Sequence, residues 1–134
     1  MTKMTIAVLL PLLAASCATV PAAEGIPRIS PRDAHERMER QGALLVCAYR
    51  AEKCPGTHLA GAMSLEELET RLPVLGPDQE IIFFCGCLHE VTAAQRAVEM
   101  KARGFRNVGV VAGGFLAWIL DGYDVTTTGK ENLQ

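Results

Sequence analysis

Four reactive side chains fall within one short stretch of this 134-residue chain: Cys85, Cys87, His89 and Glu90, in the segment Glu80 to Gly104 that reads EIIFFCGCLHEVTAAQRAVEMKARG. A thiol does nucleophilic work as the thiolate. Backbone N–H groups in a loop that runs into a helix start favour that negative charge. Cys85 ends an apolar run and stands just ahead of a helical pattern, so it is placed for this chemistry. Gly86 lets the backbone curl tightly, as a cradle of inward-pointing donors requires. Such a cradle would hold a persulfide, R–S–S⁻, as readily as a thiolate. The plainer alternative is that Cys85 and Cys87 are small buried hydrophobes. Two thiols around a glycine, with His89 and Glu90 beyond, at the carboxyl end of a strand, argue for a site instead.

The elements that must position these groups can be read in order. Ser30-Pro31-Arg32-Asp33 combines a capping serine, a proline at the first helical position and an acid near the helix start, which predicts a helix from about Pro31 to Arg40 stopped by Gly42. His35 and Glu36 lie on it, but Glu39 stands where a zinc-protease pattern needs its second histidine, so His35 is expected to be a solvated surface residue. Ala43 to Ala48 is a short apolar run suited to a strand buried on both faces. After a loop from Tyr49 to Gly56, Ser64-Leu65-Glu66-Glu67 forms a capping box that opens a helix to about Leu72. Glu80 to Phe84 is the next buried strand. Thr92-Ala93-Ala94-Gln95 reads as a second capping box, starting a helix at about Ala93 that Gly104 closes. Val108 to Val111 is a further strand, Gly113-Gly114 turns the chain, and Phe115 to Leu120 with Trp118 forms a last helical turn. Strands alternating with helices predict an α/β domain with a mainly parallel sheet, and ligands of such sheets sit outside the carboxyl ends of the strands, where the Cys85 loop lies.

The chain's length suits one compact domain, and its formal charge of -2 with scattered Lys and Arg gives no basic stripe for nucleic acid. Met1 to Ser16 has one lysine, an apolar run from Ile6 to Leu13 and then small residues. That run is far short of the roughly 20 residues a spanning helix needs, and it reads as a signal peptide. Leu13-Ala14-Ala15-Ser16-Cys17 resembles a bacterial lipobox, with Cys17 as the lipidated residue; plain secretion after an ordinary small-x-small cut is the alternative. The expected organisation is a signal peptide over 1–17, a linker over 18–25, a folded domain over 26–126 and a loose tail over 127–134. The expected location is the periplasm, with or without a lipid anchor to a membrane.

The domain resembles the rhodanese-like family, related to the sulfurtransferases, from about Ile29 to Val125. Leu44 to Tyr49 matches the family's opening strand, Thr57-His58-Leu59-Ala60-Gly61-Ala62 its Gly-His-Ile-Pro-Gly-Ala stretch, and Ile81 to Cys85 its strand ending in the persulfide-forming cysteine. Gly104-Phe105-Arg106-Asn107-Val108, Gly113-Gly114 and Ala117-Trp118 match the closing elements, which are the most specific because order and spacing agree. The resemblance implies a central, mainly parallel five-stranded sheet flanked by helices. It implies a persulfide on Cys85 and a substrate-binding loop of Gly86, Cys87, Leu88, His89, Glu90 and Val91. Counting back from Gly104 selects Cys87 instead; the strand side, which varies less than a loop, selects Cys85. The partners implied are a small sulfur compound or a protein thiol, with no cofactor and a monomeric chain.

Departures from the family pattern shape the expected chemistry. Glu90 stands where thiosulfate-binding loops commonly carry a basic residue, and a carboxylate there would repel a dianionic donor. Cys47 replaces the family's Asp and Tyr49 its Arg. Val91 stands where phosphatases of this fold need an arginine clamp, which excludes that activity. His58 is expected to anchor a loop, and His89 to assist proton transfer or to have no role. Two further readings compete with sulfur transfer. One is thiol–disulfide redox, with Cys87 resolving Cys85, or with a Cys47–Cys85 bridge and Cys54 paired with Cys87 or left out. The other is a copper- or zinc-binding module built on Cys85-x-Cys87-x-His89 with Cys47 as a fourth ligand, although a tetrahedral site in so tight a loop would be unusual and no metal is expected.

Overall fold

The computed structural model describes residues 25–50, 57–86 and 89–127. The signal-like segment, the linker, Cys17, Cys54, Cys87, Leu88 and the tail from 128 lie outside the described residues. The chain runs β1 (Arg28–Ile29), α1 (Pro31–Gln41), β2 (Leu44–Cys47), β3 (Thr57–Leu59), α2 (Leu65–Arg71), β4 (Ile81–Phe84), α3 (Val91–Ala102), β5 (Val108–Val111), α4 (Gly114–Leu120) and β6 (Val125–Thr127), with a 3₁₀ turn at Leu72–Val74.

Four strands form a parallel sheet in the order β1-β5-β4-β2. Met63 extends it by a parallel bridge to Val46 on the outer side of β2, held by Met63 N–H to the Leu45 carbonyl at 2.8 Å and Cys47 N–H to the Met63 carbonyl at 3.0 Å. This is the expected parallel α/β sheet, with a single bridge at the fifth position. A separate antiparallel pair joins β3 to β6, with His58 opposite Thr126. Strand β6 thus reaches Thr127, the first residue of the segment expected to be a loose tail. Among the described residues, no helix is long and apolar enough to cross a membrane.

Side chains alternate across the strands, so the sheet divides the core in two. Val46, Ile81, Phe83, Cys85 and Val110 pack with Leu65, Leu68, Ala97 and Met100 beneath α2 and α3. Leu45, Cys47, Ile82, Phe84 and Val111 pack with Ala34 and Trp118 beneath α1 and α4. Trp118 is fully buried and its indole N–H donates to the Asp124 carbonyl at 2.9 Å. Truncating such a residue to alanine costs about 3–5 kcal/mol. His35 is half-buried rather than solvated: its ring stacks on Tyr123 at 4.7 Å and lies 5.8 Å from Trp118, because α1 packs against α4.

Local signals explain the helix ends. Ser30 caps α1 by accepting from Asp33 N–H at 3.1 Å, and Gly42 ends it in the left-handed region. Ser64 and Glu67 form the expected reciprocal capping box at 3.0 Å in each direction. At the end of α3, Phe105 N–H reaches the Met100 carbonyl and Gly104 N–H the Lys101 carbonyl, the paired bonds of a Schellman motif around Gly104. The start of α3 departs from expectation. Thr92 is inside the helix, and the N-cap is Glu90, whose carbonyl accepts the first helical bond from Ala94 N–H at 2.8 Å. Its own side chain makes no cap, because it is engaged elsewhere.

Candidate functional site

Strand β4 delivers Cys85 to the carboxyl edge of the sheet, one residue past its last strand position. The side chain turns to the α2/α3 side and is 1% exposed, packed in that core. It is present as a thiol. The Cys85 carbonyl accepts from Phe115 N–H at 3.1 Å, which ties the end of β4 to the first turn of α4.

Cys47 is disulfide-bonded, and its partner lies outside the described residues. The Cys47–Cys85 bridge considered from the sequence is absent. The register explains why: Cys47 pairs with Phe84 and shares its face, so Cys85 points to the other side of the sheet. Gly86 is exposed, and a Cβ added to it would meet nothing within 4 Å among the described residues, so the described geometry does not demand glycine there. His89 is an exposed turn residue and Val91, the first residue of α3, is half-exposed. Cys87 and Leu88 lie outside the described residues, so the resolving role of Cys87 and the Cys-x-Cys-x-His metal set fall there too. Among the described residues, no cluster of three or more His, Cys, Asp or Glu could hold a metal ion.

Glu90 behaves differently from its sequence-based expectation. Its residue exposure is 5%, and among the described residues it is the single non-glycine with positive φ, at 49°. That left-handed turn swings the carboxylate inward. Arg28 of β1 donates to it through Nε at 3.2 Å and Nη2 at 2.6 Å, and Gly113 N–H donates to Oε1 at 2.5 Å. Burial penalises the charge. Together the hydrogen bonds from Arg28 and the Gly113 N–H and the charges of Arg28 and His89 outweigh that penalty, and the carboxyl is held below its ordinary range. The same hydrogen bond and charge push the Arg28 guanidinium further up. Glu90 is thus a neutralised, inward-facing anchor, and the direct repulsion of a dianionic donor expected from its position does not describe this geometry.

Cys85 and Glu90 are consequently both fastened to the start of α4, Cys85 through Phe115 and Glu90 through the N-cap Gly113. Gly113 must be glycine, since its φ is 73° and a Cβ would lie 2.6 Å from the Ala117 Cβ. Arg96 of α3 adds a third tie, from its Nε to the Ala48 carbonyl at 3.1 Å, joining the helix to the end of β2.

The model of the rhodanese-like domain matches residues 30–121 of the chain. The chain belongs to the rhodanese-like domain family. Solved structures agree on the fold. The rhodanese-like chain is similar to the polysulfide-sulfur transferase homodimer of Wolinella succinogenes, at 20% identity over 84% of this chain and 86% of that one, with a TM-score of 0.62. It is similar to a rhodanese-like domain from Anabaena, at 18% identity over 81% and 89%, with a TM-score of 0.60. It also matches part of a thiosulfate sulfurtransferase from Pseudomonas aeruginosa, at 16% identity and a TM-score of 0.65, covering 82% of this rhodanese-like chain but 22% of that longer one. No curated protein matches it.

Arg28 and Phe115 were not among the residues singled out as functional, and Gly113 was read as a turn alone. The pairing of Arg28 with Glu90 spans 62 positions, and a surface arginine on a two-residue strand carries no local signal of it. The glycine pair was a partial signal, because a double glycine beside a strand end marks a close backbone approach.

Proposed function

We propose that this rhodanese-like domain is a sulfurtransferase or sulfur carrier that holds a sulfane sulfur on Cys85 as a persulfide and passes it to a thiol. The observation that supports the reading most is the placement of a cysteine thiol at the carboxyl end of central strand β4, ahead of the 12-residue helix α3, in a loop fastened at both ends. The helix start favours the negative charge of a thiolate or a persulfide.

The reaction has two displacements. The Cys85 thiolate attacks the outer sulfur of a donor R–S–SH; the new S–S bond forms as the donor's S–S bond breaks, and R–S⁻ leaves with the electron pair. An acceptor thiolate then attacks the outer sulfur of Cys85–S–SH, and Cys85 leaves as thiolate. Persulfides and polysulfides suit the site as donors better than thiosulfate, because Arg28, which meets the loop's exit, is taken up by Glu90. The protein is further proposed to work outside the cytosol, as its N-terminal segment suggests, with Cys17 as the residue for a lipid anchor.

A second reading is favoured by the 1% exposure of Cys85: a non-catalytic module in which this thiol is a core side chain. Intact mass after incubation with polysulfide separates the two. Gain of one sulfur, removable by cyanide, retained in Cys87→Ser and lost in Cys85→Ser, is the expected result. No gain with polysulfide, a persulfide or thiosulfate would leave the non-catalytic module.

A further inference from the structure

The place of Cys85 in the fold works against its ionisation. It is 1% exposed and belongs to the core cluster beneath α2 and α3 that also holds Ala48, Leu68, Ala93 and Ala97. Apolar burial disfavours a thiolate, so the chemistry calls for a cation on this side of the sheet. Arg28 does not serve, because its guanidinium is paired with Glu90.

Arg96 of α3 reaches the right place. Its side chain is 23% exposed, its Nη1 meets the Glu99 carboxylate at 2.9 Å, and its Nε donates to the Ala48 carbonyl at 3.1 Å. Ala48 is the first residue beyond β2. Its N–H donates to the Phe84 carbonyl at 2.9 Å, which carries the β2–β4 register one step further and sets Ala48 beside Cys85. The guanidinium is therefore one hydrogen bond and one strand spacing, about 4.8 Å, from the Cys85 backbone, at the point where β2 and β4 end. Among the described residues, the other charged or titratable groups around this end of the cluster are Glu99 beside Arg96, Tyr49 at the end of β2, and His89 with the Arg28–Glu90 pair at the entry of α3. From α2 and β5 the cluster receives Leu65, Leu68, Val108 and Val110, which carry no charge.

We infer that Arg96 sets the charge of the sulfur centre: its guanidinium favours the Cys85 thiolate before transfer and the persulfide anion after it. The inference rests on the reading of Cys85 as the sulfur acceptor, and names the residue that readies it. Arg96 is a positioning residue in this role, since it touches no reacting atom and acts through its charge. Glu99 offsets part of that charge, but at 52% exposure its carboxylate is better screened by solvent than the guanidinium.

The test is the pH midpoint of Cys85 ionisation, read as the ultraviolet absorbance of the thiolate in each protein minus that of its Cys85→Ser counterpart. Arg96→Gln removes the charge and should raise the midpoint by about one pH unit, a roughly tenfold loss of thiolate at any pH below it. Arg96→Lys keeps the charge and loses the planar fork, so its midpoint should stay within about 0.3 unit of wild type. A merely structural tie would lower stability to urea in both variants without separating their midpoints. The inference is overturned if Arg96→Gln moves the midpoint by less than about 0.5 unit, or if Arg96→Lys moves it as far as Arg96→Gln does. Should Arg96→Gln not fold, Arg96→Met keeps the apolar stem and is held to the same threshold. No sulfur donor enters the titration. Failure to gain sulfur with a raised midpoint in Arg96→Gln would strike the proposed function alone, and gain of sulfur with an unmoved midpoint would strike this inference alone.

Discussion

Two glutamates flank strand β4, each paired with an arginine from another element, and the two pairs are nearly the same length. Arg37 meets Glu80 at 2.7 Å at the strand's start, and Arg28 meets Glu90 at 2.6 Å beyond its end. They differ in what surrounds the acid. The Glu80 side chain is 22% exposed, and its backbone does the ordinary work of a strand edge, accepting Leu44 N–H at 2.9 Å. The Glu90 side chain is 6% exposed, accepts a backbone N–H as well as the guanidinium, and forces its own backbone into the left-handed region. Distance alone therefore does not rank these pairs. A strap that joins α1 to the sheet can remain wet, whereas the residue that ends the cysteine loop is dried, multiply bonded and bent.

The sharpest way to break this comparison is to remove the buried acid. Glu90→Ala should lower stability by about 2 kcal/mol, because the Gly113 N–H and the inward face of Arg28 lose their partner where water reaches poorly. Urea unfolding measures it, and a loss below about 0.5 kcal/mol would place Glu90 with ordinary surface pairs. A smaller effect tests its charge. The folded carboxyl titrates below its ordinary value, so the stability it contributes is complete above about pH 4.3, the unfolded value, and is lost as pH falls through the lower folded value. The advantage of wild type over Glu90→Gln should accordingly be constant from pH 7 to about 5 and shrink below about 4. A difference that stays flat down to pH 3 would mean that shape and not charge holds the loop.

The contrast also explains what was legible in the sequence. Strands β2, β4 and β5 were legible because each is an apolar run buried on both faces, and α1 and α2 because Ser30, Ser64 and Glu67 cap them locally. The Cys85 position followed from the same logic, since a strand's end is set by its own residues. Glu90 was legible as an unusual residue and misread in direction: from the chain it looks like a carboxylate in a donor's path, and only the fold brings Arg28 and Gly113 to it. Thr92 was misread for the same cause, because the entry of α3 is fixed by long-range hydrogen bonds to Glu90 rather than by a local cap. The Cys47–Cys85 pairing failed on parity: neighbouring strands were correctly placed side by side, but a one-residue offset puts the two sulfurs on opposite faces. Strand β6 lacked an apolar pattern, and its pairing with β3 is set by partners more than 60 positions away.

The smallest expected effect belongs to the other glutamate. Glu80→Ala removes the 2.7 Å contact to Arg37, whose side chain is 38% exposed, so both groups are well screened and the arginine is left in water rather than stranded. The bonds that hold the start of β4 are backbone bonds, Leu44 N–H to the Glu80 carbonyl and Ile81 N–H to the Asn107 carbonyl at 2.9 Å, and they survive the substitution. The expected loss is about 0.5 kcal/mol by urea unfolding. A loss as large as that of Glu90→Ala would overturn the ranking by burial.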